Sequence, residues 1–131
     1  MNTNLEILLV EDDTDDIELL DEALRDNNIA FTMKVITHGD KVLPYLKEVN
    51  GSPDIIILDY NIPRLHGREI LHLIKSSESF SNIPVIVMTT SAAREDMDYA
   101  LKMGAIHFIT KPTSIEDFNA TVSTIIKTAG H

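Results

Sequence analysis

Ile55-Ile56-Ile57-Leu58-Asp59 is a run of four apolar residues, three of them β-branched, closed by a carboxylate. Too short for a helix and too uniformly apolar for a strand with one wet face, it reads as a strand buried on both sides, as in a parallel sheet. Similar runs are found at Leu5 to Val10, Met33 to Thr37, Val85 to Thr90 and Ile106 to Thr110. Between and after them, apolar residues recur every three to four positions. Ile17, Leu20 and Leu24 mark a first helix, Val42, Leu46 and Val49 a second, and Ile70, Leu73 and Ile74 a third. Met97, Ala100 and Leu101 mark a fourth, and Ile115, Phe118, Val122 and Ile126 a fifth. Gly51-Ser52-Pro53 and Asn82-Ile83-Pro84 interrupt the chain before the third and fourth strands, and Gly104 closes the fourth helix. Thr113 or Ser114, three residues ahead of Glu116 or Asp117, can cap the fifth.

Five strands alternating with five helices predict a (βα)5 sandwich of three layers, and right-handed crossovers leave few ways to wind it. The expected strand order is 2-1-3-4-5, with the ligand crevice at the carboxyl ends of the strands beside strand one.

The 131 residues fit one domain, read as 1–131 with a flexible start over 1–4. With 44% apolar and 24% charged residues, the chain can bury a core and is not a disordered polymer. Its 21 acidic against 11 basic residues give a formal charge of −10, which argues against affinity for nucleic acid or anionic membrane. Zero cysteines exclude disulfides, a thiol nucleophile and Cys-ligated metals. Met1-Asn2-Thr3-Asn4 lacks a basic leader, and no apolar run approaches the ~18 residues of a membrane span, so a cytoplasmic protein is expected.

The expected strand ends carry Glu11-Asp12-Asp13, Asp59, Thr89-Thr90-Ser91 and Lys111-Pro112. No glycine-rich turn follows strand one, so a dinucleotide or P-loop site is excluded, and the carboxylates there suit a hard divalent cation, Mg²⁺ or Mn²⁺. Asp59 is placed to act as a nucleophile in an aspartyl-phosphate reaction, with the metal and Lys111 screening charge on the phosphoryl oxygens and Thr89 donating its hydroxyl. Taken singly, each residue has a plainer explanation. Glu11, Asp12 or Asp13 can cap the first helix, Asp59 can initiate a turn, and Lys111 can be a solvated surface lysine. Four separate strand ends supplying the groups of one site weigh toward the chemistry.

At these residues the sequence resembles the receiver domain of two-component response regulators. The matching stretches are Ile7 to Asp13, Asp54 to Pro63 with Gly67, Pro84 to Ser91, and Gly104-Ala105 through Lys111-Pro112. The resemblance covers essentially the whole chain and implies the flavodoxin-like fold; chemotaxis-type receivers are a standard example of the 2-1-3-4-5 order, so that order is no independent deduction. It implies that Asp59 is the phospho-acceptor and that Glu11, Asp12 and Asp59, with the Asn61 backbone carbonyl, hold Mg²⁺ or Mn²⁺. Thr89 corresponds to the switch hydroxyl and Lys111 to the lysine contacting the phosphoryl group. Phe108 corresponds to the switch aromatic, although it lacks a tyrosine's hydroxyl and must work by packing or be plain core. Asn61 and Ser91 correspond to positions controlling access of hydrolytic water; neither is an obvious base, so slow to moderate dephosphorylation is expected. The Lys111-Pro112 bond resembles a cis peptide of the family. Thr89-Thr90-Ser91 and Asn61-Ile62-Pro63-Arg64 through Gly67-Arg68-Glu69 resemble the single-domain regulators associated with cyanobacterial phytochromes.

Ten of the 21 acids lie between Glu6 and Asp26, opposed by Arg25 alone, so the first helix is expected to carry a negative outer face around Asp15, Asp16, Glu18, Asp21, Glu22 and Asp26. That face is solvated, or, as the resemblance implies, it docks a sensor histidine kinase or phosphotransfer domain. The five histidines, at 38, 66, 72, 107 and 131, lack ligand spacing and are expected to be exposed. The chain stops just past the fifth helix, so no output domain is expected; signalling would pass to a downstream protein, or a homodimer, through the helix 4, strand 5, helix 5 face. The protein is then no enzyme beyond its own phosphorylation and dephosphorylation. The alternatives are a pseudo-receiver that binds partners without phosphotransfer, and a metal-dependent phosphatase with an aspartyl intermediate.

Overall fold

The computed structural model describes residues 4–49, 52–90 and 93–130. Five parallel strands, β1 (Leu5–Val10), β2 (Phe31–Ile36), β3 (Ile55–Leu58), β4 (Val85–Thr89) and β5 (His107–Thr110), form one sheet in the order β2-β1-β3-β4-β5. The helices are α1 (Thr14–Asp26), α2 (Val42–Glu48), α3 (Gly67–Ser76), α4 (Arg94–Lys102) and α5 (Ile115–Thr128), with a 3-10 turn at Gly39–Lys41 before α2. No helix among the described residues is long and apolar enough to cross a membrane.

The apolar strand runs have the reason expected of them. Leu8, Val10, Ile56, Leu58, Val85 and Val87 point into one core, with Val42, Leu46, Ile70, Leu71, Ile74 and Ala100 from α2, α3 and α4. Their neighbours Leu5, Ile7, Leu9, Ile55, Ile57, Ile86 and Met88 point into a second, with Leu20, Leu24, Val122 and Ile125 from α1 and α5. The alternating side chains of β1, β3 and β4 thus serve two cores at once.

Strand limits agree with the sequence reading for β1 and differ by one residue at one end for β3, β4 and β5. The second strand starts two residues earlier than expected and stops one earlier, because β2 is a sheet edge whose alternating exposure leaves no continuous apolar run to read. Three stripe residues belong elsewhere: Leu73, Leu101 and Ile115 are 44%, 46% and 76% exposed, and Leu71 is the residue α3 buries beside Ile70 and Ile74. Val49 is the extended C-cap of α2. The Lys111-Pro112 bond is trans, as are all peptide bonds among the described residues, in keeping with the modest trans preference X-Pro bonds retain. His38, His66, His72 and His107 are exposed as expected, while His131 lies outside the described residues.

Caps fix the helix entries. The Asp13 carboxylate accepts the Asp15 and Asp16 N–H groups at 2.9 and 3.2 Å, and Ser114 Oγ accepts that of Asp117 at 3.1 Å. Gly104, with φ of 110°, ends α4 in the left-handed conformation that favours glycine.

Candidate functional site

The sheet register brings the acidic residues together. Val10 pairs with Leu58, and Asp59 N–H donates to Val10 C=O at 3.0 Å, so the first residues beyond both strands, Glu11 and Asp59, emerge side by side. On the other flank Thr89 pairs with Thr110, and Lys111 N–H donates to Thr89 C=O at 2.8 Å. Lys111 then extends across the strand ends.

Its ammonium meets three carboxylates: Asp16 Oδ2 at 2.7 Å, Glu11 Oε1 at 2.9 Å and Asp59 Oδ2 at 3.2 Å. Glu11, Asp59 and Thr89 are buried, and Asp12 is exposed at the rim. The second oxygens are engaged as well: Glu11 Oε2 accepts Asp13 N–H at 3.2 Å and Asp59 Oδ1 accepts Asn61 N–H at 3.1 Å. Carboxylate oxygens of Glu11, Asp12 and Asp59 all lie within 4.8 Å of one another.

Burial is the largest influence on Glu11. Together with the neighbouring charge of Asp59 it pushes the Glu11 carboxyl up to about 7, against the opposing pull of Lys111 and the Asp13 N–H. Burial by itself would lower the proton affinity of Lys111, but hydrogen bonds to Asp16 and Glu11 and the charge of Asp59 outweigh it and hold the ammonium above the ordinary lysine value. With Asp16, four carboxylates confront one ammonium, a formal charge of −3. Crowded hard oxygens with surplus negative charge fit a divalent cation.

Glu11, Asp12, Asp59 and Lys111 thus share one pocket, and Thr89 sits at the base of the strand-end cluster. Phe108 stands one layer away, edge-on to Tyr60 with ring centroids 6.0 Å apart. Asn61 is exposed beside Asp59, and Ser91 lies outside the described residues. Asp16, assigned from sequence to the outer face of α1, is instead turned inward onto Lys111. One signal pointed there: carrying the buried stripe Leu24, Leu20 one turn back along the helix lands on position 16.

Gly67 packs against the backbone of Asp59 and Tyr60. A Cβ there would lie 2.5 Å from Tyr60 Cα and 2.8 Å from Asp59 O, so α3 can begin against the Asp59-Tyr60 backbone only with glycine at that position. Next to it the Tyr60 ring lies 5.5 Å from that of His66 and is 1% exposed.

The chain is 37% identical over 92% of its length to the transcriptional regulatory protein BaeR of Escherichia coli, of whose length it spans about half, 48%. It is 32% identical to the response regulator Rcp1 of Synechocystis over 85% of this chain and 79% of that one. The phosphorylated cyanobacterial phytochrome response regulator RcpA superposes with a TM-score of 0.86 at 31% identity, covering 95% of this chain and 93% of that one. The sequence pattern of the response regulator receiver domain matches residues 7–123, and the chain belongs to that family.

Proposed function

We propose that this chain is a response regulator of a two-component relay, with Asp59 accepting a phosphoryl group from a sensor histidine kinase. The observation that carries the reading is the meeting of Asp59 with Lys111 at 3.2 Å beside the Glu11, Asp12 and Asp59 oxygens. In the transfer, an Asp59 carboxylate oxygen bonds to phosphorus as the phosphorus–nitrogen bond to the donor imidazole breaks. Lys111 follows the new phosphoryl oxygens, and the Thr89 hydroxyl donates to one of them. A divalent ion held by Glu11, Asp12, Asp59 and the Asn61 carbonyl supplies neutralising charge for those oxygens. Rcp1, at 30% identity over 94% of this chain, has a Mn²⁺-bound structure, which supports Mg²⁺ or Mn²⁺ as the cofactor.

Phosphorylation gives Asp59 a charge of roughly −2 and further acceptor oxygens. Each charge-assisted bond drawn in from Lys111 or Thr89 contributes about 1.5–3 kcal/mol, comparable to the gap between two conformers. The shift travels through Thr89 and Phe108 to the α4, β5, α5 face, which signals to a downstream protein or a second copy; Leu101 on α4, Ile106 just before β5 and Ile115 at the start of α5 are 46%, 51% and 76% exposed. The acidic outer face of α1 steers the kinase, the protein works in the cytoplasm, and its only catalysis is on itself. Asn61 and Ser91 set the phosphoryl lifetime.

Acetyl phosphate or phosphoramidate with Mg²⁺ should add one phosphoryl group by intact mass, and Asp59→Asn should abolish the gain. No gain favours the pseudo-receiver; turnover of a phosphate ester favours the phosphatase. Decay with a half-life of seconds contradicts the lifetime assigned to Asn61 and Ser91.

A further inference from the structure

The geometry points to Asp16 as a positioning residue for the phosphotransfer reaction: it shares the Lys111 ammonium with Glu11 and Asp59 and so keeps that lysine from closing fully onto Asp59 and the metal oxygens. This rests on the phosphotransfer reading above and adds a residue and a task to it.

An ammonium has three N–H donors, and Lys111 has three carboxylate contacts. The shortest, at 2.7 Å, is to Asp16, and the longest, at 3.2 Å, is to Asp59. The three acceptors differ in depth. The Glu11 and Asp59 side chains are 6% and 5% exposed, whereas Asp16 is 32% exposed on the first turn of α1. Glu11 and Asp59 therefore draw Nζ toward the buried end of the cluster and Asp16 draws it toward the more exposed end. Asp16 is not among the three carboxylates whose oxygens cluster within 4.8 Å, so its charge is free to serve Lys111. With Asp16 neutralised, the remaining attraction comes only from Glu11 and Asp59. Nζ, already 2.9 Å from Glu11 and 3.2 Å from Asp59, then closes further onto the two buried carboxylates, where it shields more of the nucleophilic oxygen and competes more strongly with a divalent cation for the same oxygens.

The test uses the full chain as wild type, Asp16→Asn, Asp16→Glu, Asp15→Asn, Lys111→Gln and the Asp16→Asn/Lys111→Gln double variant. Asp15 precedes Asp16 on the same first turn, so Asp15→Asn controls for general loss of negative charge. Two quantities are read: Mn²⁺ affinity by calorimetry, and the phosphorylation rate with phosphoramidate at saturating Mg²⁺. Asp16→Asn should lower each by about fivefold, the order seen for coupled charges in one network. The rate loss should lie in the maximal rate and not in the donor concentration giving half of it. Asp16→Glu should recover most of the loss, and Asp15→Asn should match wild type. In the Lys111→Gln background, Asp16→Asn should change nothing further.

An Asp16→Asn protein equal to wild type, faster than it, or equal to Asp15→Asn overturns the proposal, as does an effect that persists without Lys111. Wild type that binds Mn²⁺ but takes no phosphoryl group ends the phosphotransfer reading, while the Mn²⁺ cycle still decides whether Asp16 acts through Lys111. Wild type that does not bind Mn²⁺ ends both.

Discussion

Replacing Tyr60 by phenylalanine should stabilise the protein, the reverse of what most core substitutions do. Tyr60 is 1% exposed, and its hydroxyl oxygen has no hydrogen-bond partner among the described residues. Burial pushes its pKa up to about 12, with smaller opposing influences from Arg68 on one side and Asp96 and Tyr99 on the other. A buried hydroxyl without a partner costs about 1–3 kcal/mol in lost hydration. Phenylalanine keeps the ring and both aromatic contacts, to His66 and to Phe108, and leaves a gap no larger than one oxygen atom. The net gain should be about 1–2 kcal/mol. For 131 residues the unfolding entropy is about 0.28 kcal/mol/K, so Tm should rise by about 4–7 °C. Calorimetry under reversible conditions measures this directly, with Tyr60→Leu as a control that also loses the ring contacts and should fall below wild type. A Tyr60→Phe protein melting at or below the wild-type temperature refutes the reasoning, because the hydroxyl must then have a partner in solution.

Gly67→Ala should lower stability by about 2–3 kcal/mol and Tm by about 7–11 °C, since the added Cβ meets backbone atoms of Tyr60 and Asp59 that cannot swing aside; an unchanged melt would mean that α3 is not pressed against the acceptor loop. Mg²⁺ at about 100 times its Kd should stabilise the protein by about 2.7 kcal/mol relative to KCl of equal ionic strength, with EDTA reversing the gain and Asp12→Asn reducing it. Lys75 gives a pH dependence of known sign. Its ammonium donates to Ser81 C=O at 3.0 Å and Ile83 C=O at 2.8 Å, and burial lowers its pKa from 10.5. The folded state therefore gives up this proton more readily than the unfolded chain, and the cost of burying the charge disappears as pH rises through the lowered folded value toward 10.5. Denaturant titrations across that range should show wild type gaining stability relative to Lys75→Met, and parallel curves would refute the assignment.

The legible parts of this fold are those in which a residue's own neighbours dictate its environment. Ile55 to Leu58 can be read as a strand because every position is apolar, and it is so because both faces of β3 are covered. Phe31 and Thr32 cannot be read that way, because β2 is an edge on which Thr32 and Lys34 are exposed and Phe31, Met33 and Val35 are only half-buried. Leu73, Leu101 and Ile115 show the limit of helical periodicity, which gives the direction of the buried face but not the width of arc that the neighbouring helices cover. The same distinction divides the site. Glu11, Asp59 and Lys111 are readable because each is the first residue beyond a strand, and parallel strands in one sheet end on one side. Asp16 is separated by 95 residues from the lysine it binds and lies within a run of acids where charge alone suggests a solvated face. Periodicity could have turned it inward, but its partner is fixed only when β5 completes the sheet and carries Lys111 across to α1. The residues recognisable in this sequence are therefore those placed by a strand end, and the one missed is placed by a contact between two elements that only the whole fold brings together.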